Sequence, residues 1–101
     1  MTPSHVAEHF EREYGCTTVE WHRWLPGAVR EHPLHMDSPD SARAELGSGH
    51  LALHWTVLEP RRIALISMPR LQVRFDFVGT LAAERQVFLR YFDLYMQRGG
   101  G

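Results

Sequence analysis

From Leu51 to Val57, and again from Leu71 to Phe77, apolar side chains alternate one for one with mostly polar ones, and this repeat fits a strand and no helix. Successive strand residues point to opposite faces. Leu51, Leu53, Trp55, Val57, Leu71, Val73, Phe75 and Phe77 therefore define an inner layer, and Ala52, His54, Thr56, Gln72, Arg74 and Asp76 an outer one. A sheet with one greasy face needs a cover, which two flanking helical segments can supply. At 101 residues the chain holds one domain with one core. The expected class is α+β: an antiparallel sheet of four to six strands with an N-terminal and a C-terminal helix on one face, in the order α-β-β-β-β-β-α. Residues 1–98 form the domain and residues 99–101 a flexible glycine tail.

The spacing of Val6, Phe10 and Tyr14, with Thr2 as cap, Pro3 in the first turn and Gly15 as stop, predicts the first helix. Alternation from Cys16 to Leu25 predicts a first strand, ended by a turn at Leu25-Pro26-Gly27-Ala28. Pro33 cannot donate to a ladder, so Val29–Met36 belongs at a sheet edge, followed by a loop at Asp37-Ser38-Pro39-Asp40. Ala42–Leu46 and Leu51–Leu58 form a hairpin across Gly47-Ser48-Gly49. Glu59-Pro60-Arg61-Arg62 then turns the chain into Ile63–Ser67, and Leu71–Val78 follows. Met68-Pro69-Arg70 reads as a wider turn or a kinked edge. The last helix runs over Leu81–Gln97, capped by Thr80. Its apolar positions cover more than one stripe, which calls for two contacts, one on the sheet and one elsewhere.

Composition narrows the functional classes. Cys16 is the only cysteine, which excludes an internal disulfide and any multi-cysteine metal site within one chain, and it reads as a packing residue. All 11 basic residues are Arg, with no Lys and no Asn, as in the coding bias of a GC-rich bacterial genome. Residues 1–60 carry 4 Arg against 9 acids and residues 61–101 carry 7 Arg against 3 acids, yet the net charge is −1, so the halves neutralise one another and nucleic acid is disfavoured. No apolar run approaches the roughly 20 residues of a membrane span, and the first residues lack the basic start and apolar stretch of a secretory signal, so a cytoplasmic protein without a membrane partner is expected.

Seven histidines raise the question of a metal. His5-Val6-Ala7-Glu8-His9 resembles the H-x-x-E-H motif of inverted zinc metalloproteases, over five residues and without the further ligand such enzymes take from a separate segment. Arg98-Gly99-Gly100-Gly101 resembles the diglycine tails of ubiquitin-like sulfur carriers, although a helix reaching almost to the glycines departs from their extended tail. Neither supports a committed site, and no metal or cofactor is expected.

Two readings follow. The leading one is a binding or accessory protein that works by protein contact or self-association through Tyr91, Leu94 and Tyr95 on the last helix. Its rival is a small-molecule or acid–base site on the outer sheet face around His22, His54, Arg74 and Asp76, where an imidazole beside a carboxylate could move a proton. Binding is favoured over catalysis, and no catalytic residue is assigned.

Overall fold

The computed structural model describes residues 6–98. Seven elements follow one another: β1 (His9–Tyr14), α1 (Thr18–Val29), β2 (Leu34–Ser38), β3 (Ser41–Leu46), β4 (Gly49–Ile63), β5 (Ile66–Val78) and α2 (Ala82–Arg98). The five strands make a single sheet in the order β1-β5-β4-β3-β2, antiparallel throughout. β1 and β2 therefore lie at opposite edges, and α1 carries the chain between them across the inner face. Both helices pack on that face: Trp21 of α1 meets Trp55 of β4 with ring centroids 5.7 Å apart, and Phe92 of α2 meets Phe75 of β5 at 5.6 Å. The expected α+β class, sheet and two-helix cover are all present.

The first two elements come in the opposite order from the one expected. Residues 9–14 form a strand, and residues 18–29 form the first helix instead of a strand and a turn. Phe10 and Tyr14 do share a face, but as alternate strand residues, with Arg12 between them and His9, Glu11 and Glu13 on the other side. The helix starts where Thr17 and Glu20 form a capping box, the Thr17 hydroxyl accepting from Glu20 N at 3.1 Å and the Glu20 carboxylate from Thr17 N at 3.0 Å. Trp21, Leu25, Ala28 and Val29 then recur at helical spacing and are buried. Pro26 lies inside the helix, where the bond it cannot make would have gone to the carbonyl of solvent-facing His22. Arg30 ends the helix in the left-handed region, φ 56°.

Farther along, an edge strand does follow Pro33, but β2 covers Leu34–Ser38 instead of Val29–Met36, with Val29 ending α1 and Asp37 and Ser38 in the strand instead of a loop, while β3 and β4 form the expected hairpin, tightened to Leu46 opposite Gly49. The 59–62 segment is not a turn. β4 continues through it, absorbs Pro60 in an irregularity between Leu58 and Arg61, and turns only at Ala64-Leu65, where Ile63 faces Ile66. Ala64 takes φ 55° there. The segment around Pro69 is part of β5, not a turn.

The length of this hairpin shapes the molecule. β3 accompanies β4 only as far as His54, and β1 accompanies β5 only as far as Leu71. The remaining parts, from about residue 57 to residue 70, stand out as a two-stranded arm in a body measuring 46 × 36 × 22 Å.

Candidate functional site

Three of the four residues expected on the outer sheet face are there together. Asp76 is central: its Oδ1 lies 3.0 Å from His9 Nδ1 on β1, and its Oδ2 accepts from Arg74 Nε at 3.1 Å. His54 is the cross-strand partner of Arg74 and lies 3.6 Å from Asp40. His22 is not among them. It sits on α1, its ring 5.5 Å edge-on to that of inward-facing Trp55, so the sheet lies between it and the other three. The four side chains do not converge.

Around this trio the outer face carries more cross-strand pairs. Arg70 donates to both carboxylate oxygens of Glu13, at 2.8 and 3.0 Å, and Gln72 donates to Glu11 at 3.2 Å. On the far side His35 meets Glu45 at 2.7 Å and Arg43 meets Asp37 at 3.0 Å. Each acid is satisfied by its neighbour on the next strand or two residues along, as on a solvated antiparallel face. The Arg70 pair holds the Glu13 carboxyl below the usual carboxylate range. Two grooves of the domain lie elsewhere, one between β1 and α2 and one where the start of α2 meets Leu46 and Gly47.

The motif of paired histidines loses its helical setting, since His9 is a strand residue pointing at Asp76, while His5 lies outside the described residues. The terminal glycines of the tail also lie outside them. Cys16 is buried against the core, and burial pushes its thiol up to about 11, far from the thiolate a nucleophile needs.

The contact residues expected on α2 are largely used within the chain. Arg30 at the end of α1 lies over the Tyr91 ring at 3.8 Å. Tyr95 packs so closely on α1 that a Cβ at Gly27 would stand 2.3 Å from its hydroxyl. Thus the second contact demanded by the apolar excess of α2 is α1 itself. Leu94 remains half exposed, and Val87 more so.

The arm carries exposed apolar side chains that the alternation of the sequence does not mark. Val57, Ile63, Leu65, Ile66 and Met68 on the arm are 66, 57, 102, 62 and 46% exposed. Cross-strand pairing puts Arg61 beside Met68 and Ile63 beside Ile66, so basic side chains flank an aliphatic tip. The available signal was the run Ile63-Ala64-Leu65-Ile66, a hairpin turn without the Gly, Asn or Asp that such turns favour.

A concave surface of mixed apolar and polar character lies between β1 and α2. This groove, about 780 Å³, has an apolar part formed by Val6, Ala7, Phe10, Val87 and Leu89 and a polar part in which Gln86 and Arg90 join the Arg12–Asp93 ion pair. Buried Arg85 fixes one end of it, donating to the Val6 carbonyl and to the Thr80 carbonyl, both at 3.1 Å.

The molecule is thus a two-layer α+β domain with a projecting apolar arm and an open groove. No protein-family model matches the chain, and no curated protein matches it. No described helix is long and apolar enough to cross a membrane.

Proposed function

We propose that this chain is a non-enzymatic contact protein, and that the β4–β5 arm is the element it presents to another protein. The observation that carries this reading is the fully exposed Leu65 at the end of an aliphatic tip. A two-stranded ribbon beyond the edge of its sheet is marginal by itself. This one also holds Ala64 at positive φ, where Gly or Asn would be less strained, and leaves Ile63, Leu65 and Ile66 at its tip more than half exposed. Those costs accumulate with no return inside the chain, whereas burial against a partner offsets them. The outer sheet face supports the same reading, since its charges pair with one another across neighbouring strands.

The test is a photo-reactive amino acid placed at position 65 in cells that make the protein. A discrete protein adduct at the arm, reduced when the reactive group is moved to exposed Arg23 on α1, is expected. If position 65 gives no more adduct than position 23, the contact reading fails.

A further inference from the structure

We infer that the groove between β1 and α2 is a binding site for a small amphipathic anion, an alkyl carboxylate of medium chain length. The inference goes beyond the contact reading and does not depend on it, because no residue lining the groove belongs to the arm. At about 780 Å³ the groove falls within the roughly 300–1,000 Å³ of small-molecule sites, and it shares their make-up of apolar walls with a few polar groups.

Two links between its walls set how the polar and apolar parts are arranged. At one end Arg85 of α2 donates to the Val6 carbonyl, and at the other Arg12 of β1 pairs with Asp93 of α2. Residues therefore advance together along both walls, from Val6, Ala7 and Val87 past Phe10 and Leu89 to Arg12, Arg90 and Asp93. Apart from Gln86, the charged and polar side chains gather at the second end, with Arg90 on the same helix face as Asp93, one turn before it. From Val87 to Asp93 the helix rises about 9 Å, room for an extended alkyl chain with its head group at the arginines.

The charge of the head group follows from which side chains are already paired. Arg12 and Asp93 neutralise one another, whereas no acid among the described residues pairs with Arg90, so the lining is left with a charge of +1. A free guanidinium beside a satisfied carboxylate favours an anion over a cation, and its planar fork suits a carboxylate. The floor is built before any ligand arrives. Phe10 stacks on Phe75 with centroids 4.7 Å apart, and the Arg12 guanidinium lies over both rings at 5.2 and 5.6 Å. Val87, 65% exposed at the apolar end, is a side chain that an alkyl chain would shield from water.

The experiment is a titration of the purified full chain with sodium decanoate, below the concentration at which it forms micelles, followed by amide NMR. Saturable shifts centred on Ala7, Phe10, Val87 and Leu89 are expected, with a Kd on the order of 0.1–1 mM for so small a ligand. 1-Decanol and decylamine carry the same chain without the charge or with the opposite one, and each should bind about tenfold more weakly. Arg90→Gln should bring decanoate down to the level of decanol, and Val87→Asp should weaken both. Arg90 and Val87 are exposed, so circular dichroism and Tm serve to show that each variant folds. Leu65→Asp on the arm should leave the affinity unchanged. Absence of saturable shifts in the groove overturns the site, as do shifts centred on residues 63–68 that Leu65→Asp abolishes, because the ligand would then coat the arm tip. Equal binding of all three ligands, or an Arg90→Gln chain that keeps its preference for decanoate, overturns the anionic head group. The position-65 adduct is independent of each of these results, so either proposal can fail without the other.

Discussion

Replacing Gly27 by Ala separates two views of the last helix by the sign of its effect. An alanine in a solvent-facing helix position would stabilise by up to about 1 kcal/mol over glycine. Here the new methyl would lie 2.3 Å from the Tyr95 hydroxyl, 2.5 Å from the ring carbon that bears it and 2.8 Å from the next. None of these distances is tolerable, so Tyr95 must leave its place on α1 or the helices must separate. Overpacking of this kind costs about 1–3 kcal/mol, and set against the helical gain it leaves a net loss of about 1 kcal/mol. Urea unfolding followed by circular dichroism measures it. The same substitution in a Tyr95→Ala background meets no ring and should stabilise, so the cycle changes sign. Stabilisation of about 1 kcal/mol by Gly27→Ala in the otherwise unaltered chain would refute the packing of Tyr95 on α1. It would also return that tyrosine to the pool of residues available for an external partner.

Other perturbations probe the parts that position the groove and the helices. Thr17→Ala removes the reciprocal cap of α1 and should cost about 1 kcal/mol in the same unfolding assay. Arg85→Met keeps the stem but leaves the Val6 and Thr80 carbonyls without their donor, for an expected loss of about 1.5–3 kcal/mol and faster amide exchange around Val6. Glu84 accepts from Leu81 N and Ser48 N, and these bonds lower its pKa below the ordinary value of 4.5. A carboxylate depressed in the folded state contributes stability that is complete above its unfolded pKa and lost as pH falls through the folded one. Stability should therefore decline below about pH 4.5, and Glu84→Gln should flatten that part of the pH profile.

Which parts of this architecture can be read from the residues depends on how unambiguous their spacing is. Leu51–Trp55 and Leu71–Phe77 alternate strictly, and their assignment to the inner face holds residue by residue. The same parity places His54, Arg74 and Asp76 outside. Phe10 and Tyr14 are four apart, and four is both a helical repeat and an even number, so the spacing fits either element; Pro3 and Gly15 are helix-boundary residue types, yet the segment between them contains the strand β1. In the next segment Trp21 and Leu25 are again four apart, and Pro26-Gly27 looks like a turn. The Thr17-Thr18-Val19-Glu20 capping box was the discriminating signal. Misreading that helix as a strand is what placed His22 on the outer face. The arm was hidden for a different reason. Pro60 argued for a turn, and only the sheet irregularity beside it lets β4 run on to Ile63. Nothing local in the sequence says that the neighbouring strands end earlier, because the lengths of β1 and β3 are set by pairing between distant segments.

Amide hydrogen exchange across the arm, followed in the isolated chain and after adding an extract of the cells that make it, tests the proposed contact most directly. Beyond Leu71 and His54 the arm has only its own two strands to protect it, so its amides in a lone chain should exchange far faster than those of the five-stranded body. The account predicts that residues 63–68 exchange fast in the isolated chain and become protected when the extract is added. Fast exchange of the arm that is the same with and without the extract would contradict it.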